Sequence, residues 1–333
     1  MLRASPIVWV EKMVLSRWRR ALPGLILIGF CGCVWMSEVA AKTDSTLSSV
    51  GSDTLHQVMQ LWADEYRQRH PDVNFQIQSI GSSTAPVALI EGTAQLGPMS
   101  RPMRQTELQQ FAKRFGYQPT AVPVAIDLLA VYVHPDNPLE QLSLAQLDAI
   151  FSINRRCGAP TDIQHWGQVG LTGPWQRRFI TLYSRNAVSG TYGYFKQHVL
   201  CNGDIKARTN KLAGSSAMLR AISQSPGGIG YSGIGYATGD VKVLALASDG
   251  GPAVAPTAAN ALSGNYPLAR QLYIYVNRAP GQPLTANQYA FFDLVLSEAG
   301  QQMVLQDGFL PLPAAVIAHW RQTLGLSTLP VLP

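Results

Sequence analysis

Apolar and polar positions change period several times along the chain, and the changes mark the elements. In "VGSDTLHQVMQLWADEYRQRHPDVNFQIQSIGSS", Leu55, Val58, Leu61, Trp62 and Tyr66 fall on one helical face, and His70-Pro71 ends the helix. Val73, Phe75 and Ile77 then alternate with polar neighbours, the period of a half-buried strand. "GSSTAPVALIEGTA" repeats the scheme with a Gly-Ser loop, a short apolar helix and a glycine that stops it. "VPVAIDLLAVYVHPDNP" is a long apolar run bounded by prolines, which suits a buried strand, and "YPLARQLYIYVN" is its counterpart. Between them lie helical patterns ("SLAQLDAIFS", "TYGYFKQHVL", "SSAMLRAISQS") and strand patterns ("RRFITLYS", "GGIGYSG", "VKVLAL"). "TANQYAFFDLVLSEAGQQMVLQDGFLPLP" adds two helices and a proline-rich stop. Alternating strands and helices predict an α/β protein, and the order predicts one domain interrupted by another, with two extended crossings as the hinge.

The first forty residues are set apart from this pattern. Arg17, Arg19 and Arg20 precede an apolar run from Leu22 to Met36, and "SEVAAK" closes the segment, the layout of a secretory signal cleaved before Lys42. Two other readings are a membrane anchor, although its run of about fifteen apolar residues falls short of the roughly twenty that span a bilayer, and lipid attachment at Cys33. Removing residues 1–41 takes away five of the 26 basic and two of the 20 acidic residues, so the net charge falls from +6 to +3. No basic stripe remains, which excludes an electrostatic footprint for nucleic acid. Two of the four cysteines leave with the same segment. Cys157 and Cys201 then form one disulfide in an oxidising compartment, or stay as two buried thiols.

Catalytic and cofactor patterns are missing. "GIGYSG" formally fits GxGxxG, but it follows a helix-like segment and Pro226 rather than a strand. The six histidines have no metal-ligand spacing, and no nucleophile elbow or phosphate-cradling P-loop occurs, so neither a metal, a cofactor nor an enzyme activity is expected.

What the chain does contain is three Ser/Thr/Gly loops, each at a predicted helix entrance: Ser52 to Leu55, Gly81 to Thr84, and Ser189 to Thr191. A helix start carries unpaired amides and partial positive charge, so it attracts anions; ordinary capping explains any one such loop equally well. Arg185, four residues before Ser189, offers planar bidentate donors to an oxyanion, and Arg101 occupies a similar setting. A site made of donors alone would not separate protonated phosphate from sulfate. Asp127, a charge within an apolar strand, is the first candidate acceptor, with a salt bridge at the hinge as its other reading; Asp53 is the reserve.

These stretches resemble the periplasmic phosphate-binding proteins of bacterial phosphate ABC transporters, the PstS family, over nearly the whole mature length. The resemblance rests on "GSDTL", "GSSTA", "SRPM" and above all "RNAVSGT". It implies a two-lobed periplasmic-binding-protein fold of type II with two hinge-crossing strands: lobe I from 42–132 and 260–333, lobe II from 133–259. It implies a phosphate site of Thr54, Leu55, Ser82, Ser100, Arg101, Asp127, Arg185, Ser189, Gly190 and Thr191. It further implies a monomer in the periplasm, with an inner-membrane permease and its ATPase as partners. A phosphatase-like protein, or a binder of another oxyanion on the same fold, is the alternative. In well-known members an aspartate follows the serine where this chain has Arg101. The acidic residue that pairs with the loop arginine in some members is missing too, so Arg185 must find its counter-charge elsewhere or in the ligand.

Overall fold

The computed structural model describes residues 46–248 and 250–327; the expected signal at residues 1–41 lies outside them. In chain order the strands are β1 Thr46–Val50, β2 Asn74–Gln78, β3 Gly97–Met99, β4 Thr120–Val133, β5 Gln141–Ser143, β6 Thr181–Arg185, β7 Asn210–Leu212, β8 Gly228–Gly233, β9 Lys242–Val243, β10 Ala245–Ala247 and β11 Ala269–Val276. The helices are α1 His56–Arg69, α2 Ala85–Glu91, α3 Gln105–Phe115, α4 Leu144–Phe151, α5 Gly190–His198, α6 Ser215–Ser223, α7 Ala258–Leu262, α8 Ala286–Val295, α9 Glu298–Gln306 and α10 Ala314–Leu324. None of the described helices is long and apolar enough to cross a membrane.

Local sequence explains the starts and stops. The Ser143 hydroxyl accepts from the Gln146 amide while Gln146 reaches back to the Ser143 amide, a reciprocal cap that opens α4. Thr285 and Gln288 do the same for α8. Helix α2 ends at Gly92, whose φ of 70° is the left-handed cap conformation that glycine adopts without strain.

Two large apolar cores, flanked by smaller clusters around Phe111 and around Met218, organise the described residues into the two lobes. One gathers Leu47, Val58, Trp62, Phe75, Leu96 and Phe291. The other gathers Leu147, Phe151, Trp166, Phe195, Tyr231 and Leu268. Strand β4 serves both: Val122, Val124 and Ala125 join the first core, and Leu128, Leu129, Val131 and Val133 the second. A mixed sheet runs through the molecule in the order β3-β11-β4-β8-β6-β7, with β9 also on β4. The two predicted crossings, β4 and β11, pair antiparallel, and Arg270 lies opposite Asp127 in the register.

Other segments depart from the pattern reading. "VKVLAL" is not one strand: β9 pairs with β4, β10 pairs with β5, and the buried Leu244 between them bonds Val131. β1 escapes the pattern because "TLSSV" is mostly polar, yet Leu47 and Ser49 are buried against its parallel partner β2. β5, α3, α7 and α10 likewise have no counterpart in the pattern. "GIGYSG", by contrast, is the strand its pattern predicts: it forms β8, with every residue buried. Cys157 and Cys201 form a disulfide with Cα atoms 5.4 Å apart, joining the segment after α4 to the end of α5.

Candidate functional site

The three hydroxyl-rich loops all lead into helical turns, and they meet. In the first, Ser52 Oγ accepts from the Thr54 amide at 3.1 Å, and buried Leu55 stands at the start of α1. In the second, Ser82 opens a single 3-10 turn that continues into α2. In the third, Ser189 caps α5 by accepting from the Tyr192 amide at 3.3 Å. Thr54 and Thr191 join their hydroxyls at 2.9 Å, although 137 positions separate them. Ser82 Oγ lies 3.3 Å from Ser100 Oγ and accepts from the Ser100 amide at 3.0 Å. A Cβ on Gly190 would sit 2.1 Å from Ser82 Oγ and 2.5 Å from Ser100 Oγ, so only glycine allows α5 to approach this closely.

Arg185 ends β6 with 1% exposure, and its counter-charge is Asp53. Its Nη2 lies 3.0 Å from Asp53 Oδ2 and donates to the Ala213 carbonyl at 2.6 Å; Nη1 donates to Ser215 Oγ at 2.8 Å. Nε is buried with no protein partner. Burial pulls this guanidinium below its usual value and Asp53 pushes it back, and an arginine stays charged under such opposition. Asp53 Oδ2 also accepts from the Ser215 amide at 3.1 Å and the Ser215 hydroxyl at 3.2 Å. Helix α6 has Gly214 at its cap position and no side-chain cap of its own, so Asp53 supplies one from 162 residues away. The Tyr236 hydroxyl donates to the Asp53 carbonyl at 2.8 Å, with the Thr54 carbonyl at 3.2 Å; burial, then the Asp53 charge, raises its pKa well above the usual value.

The other two expected charges have protein partners. Arg101 donates both Nη groups to Glu107 at 2.7 Å each, and also contacts Ser83 Oγ and the Pro102 carbonyl. Its Nε is buried and unpartnered, beside Gly193. Asp127, fully buried, accepts from Arg270 through Nε at 2.9 Å and Nη2 at 2.6 Å, and from the Ile234 amide at 3.2 Å. Its carboxylate lies against Gly233, where a Cβ would fall 2.8 Å from Oδ1.

Arg270 is the residue that pattern reading missed. It donates to the Ser100 carbonyl at 2.9 Å and to Thr191 Oγ1 at 3.0 Å, so it links the third loop to the segment that follows β3. The available signal was a lone arginine in the apolar run "YPLARQLYIYVN", the same kind of anomaly that singles out Asp127.

The arrangement is a closed, small-residue cleft with helix entrances on both sides and a buried guanidinium behind one of them. Residues 37–299 match the model of the PBP superfamily domain. The chain is 54% identical over 290 residues to the phosphate-binding protein PstS of Pseudomonas aeruginosa strain PAO1, covering 87% of this chain and 90% of that protein. It is 28% identical over 300 residues to protein SphX of Synechococcus elongatus, covering 89% and 86%. Among solved structures it resembles a putative phosphate ABC transporter substrate-binding protein with bound phosphate from Clostridium perfringens. That match has a TM-score of 0.67 at 25% identity and covers 80% of this chain and all of the other. The chain therefore belongs to the PBP superfamily and, within it, to the PstS family.

Proposed function

We propose that the chain captures inorganic phosphate in the periplasm and delivers it to an inner-membrane permease driven by its ATPase. The observation that carries this reading is the convergence of three helix entrances at Gly190 and Thr191, with the Arg185 guanidinium buried behind. Donors on the anion are the hydroxyls of Thr54, Ser82, Ser100, Ser189 and Thr191, the amides of Leu55 and Gly190, and the unpartnered Nε groups of Arg185 and Arg101. The names of the P. aeruginosa and C. perfringens proteins support phosphate as the anion.

The proton on monohydrogen phosphate needs an acceptor. Asp127 is occupied by Arg270 and the Ile234 amide, whereas the contacts of Asp53 converge on Oδ2 alone. We assign the acceptor role to Asp53 Oδ1. Sulfate lacks that proton and would face the carboxylate with charge against charge. No covalent step is part of the reading: the recorded partners of the five hydroxyls are one another, Arg270 and backbone amides, none of them a base.

Calorimetry on mature protein decides it. Phosphate should bind at micromolar Kd or tighter, and sulfate about a hundredfold more weakly or worse, a gap of roughly 2.7 kcal/mol. Asp53→Asn should narrow that gap. No phosphate binding, or equal affinity for the two anions, would refute the proposal.

A further inference from the structure

The Asp127–Arg270 pair stands where both crossing strands pass from one core to the other. On β4 the change falls between Ala125 and Leu128, and on the other crossing between Leu268 and Leu272. Arg270 is 5% exposed and Asp127 fully buried, and the two are direct partners in the strand register. Every nitrogen of the guanidinium is engaged. Nε and Nη2 hold Asp127 Oδ2, Nη1 holds the Ser100 carbonyl, and Nη2 also reaches Thr191 Oγ1. One face is covered by the Tyr194 ring at 5.3 Å, and the Tyr194 hydroxyl is tied to the Ala269 carbonyl at 2.9 Å.

Ser100 follows β3, which comes just after Leu96 of the first core, and Thr191 lies in the first turn of α5, whose Tyr194 and Phe195 belong to the second. From these contacts we infer that Arg270 is a positioning residue that holds the cleft shut around phosphate and slows its release. This rests on the phosphate reading above. Its bonds to Ser100 and Thr191 coexist only while the two loops are as close as they are here. Separation breaks one of these two bonds, and water replaces it only in part, which disfavours the open form. The same contact sets the polarity of a ligand hydroxyl. A guanidinium only donates, so Thr191 Oγ1 accepts from it, and the threonine proton is left to point at Thr54 or at a phosphate oxygen. The charge of Arg270 is cancelled by Asp127, so its contribution is geometric rather than a pull on the anion.

Removing Arg270 alone would strand a buried carboxylate, so the deciding variant is Asp127→Asn with Arg270→Met, which removes both charges and keeps the volume. Rapid-mixing kinetics should give phosphate association within about twofold of wild type and release accelerated about tenfold or more, with the melting temperature little changed. Arg270→Lys keeps a charge for Asp127 but lacks the fork that spans both loops, and should fall between; it also decides the matter if the double variant does not fold. Release at the wild-type rate from a folded variant would overturn the role of Arg270 alone. A wild-type protein that binds no phosphate would overturn the functional reading and this inference with it.

Discussion

A single missing methyl group sets how closely the two sides of the cleft approach. Gly190 faces Ser82 and Ser100 at distances no Cβ tolerates, so Gly190→Ala should hold the loops apart. Overpacking of about 1–3 kcal/mol should fall on the closed form and weaken phosphate about ten- to a hundredfold. The open form relieves the clash, so the melting temperature without ligand should stay close to wild type; calorimetry and thermal melts together test this. At this scale much of the site was legible, because "GSDTL", "GSSTA" and "RNAVSGT" each place their donors within a few consecutive residues. Asp127 was legible as a charge in need of a partner, and Arg185 as one short of a counter-charge. Their partners were not, since Arg270 is 143 positions from Asp127 and Asp53 is 132 before Arg185. Nothing in local pattern encodes a contact across such separations.

At the scale of elements, periodicity found those that bury a clear stripe and missed those defined by their neighbours. The β4 and β11 crossings stood out as long apolar runs, whereas β1 depends on pairing with β2 and β9 is two residues borrowed by β4. The disulfide adds to the Phe151–Phe195 ring contact between α4 and α5: it fixes the segment after α4 to the turn just beyond α5, whose other end carries Ser189 and Gly190. With a sequence separation of 44 the crosslink should contribute about 3–4 kcal/mol through the entropy of the unfolded chain. Urea unfolding with and without a reductant should show a drop of that order. An unchanged midpoint, with thiols shown to be free, would contradict it.

For the whole molecule, the pH profile of stability carries the mark of one carboxyl. Burial pushes Asp307 up to about 7, against a hydrogen bond from the Val58 amide that lowers it, while Asp127 adds to the rise; its Oδ2 has no partner. Its pKa when folded lies above the unfolded value of 3.8, so the stability it confers is full below about pH 4 and is lost as pH rises through 7. Asp307→Asn should remove that loss. Between pH 6 and 8.5, wild type should lose on the order of 1 kcal/mol relative to the variant, a figure discounted because the group is only half-buried. Urea midpoints at the two pH values give the comparison, and parallel profiles would exclude the effect.

The pairing of charges around the cleft has its own consequence. Each of the three guanidiniums there already has a carboxylate: Arg185 has Asp53, Arg270 has Asp127 and Arg101 has Glu107. A dianion entering the cleft therefore meets guanidiniums whose charge is already offset by a carboxylate partner. What receives it are oriented amides and hydroxyls, with the Nε–H groups of the paired Arg185 and Arg101, short-range donors whose fields fade over a few ångströms. Mobile ions screen over about 8 Å at physiological ionic strength, too coarse a scale to weaken such contacts, so capture should be nearly indifferent to salt.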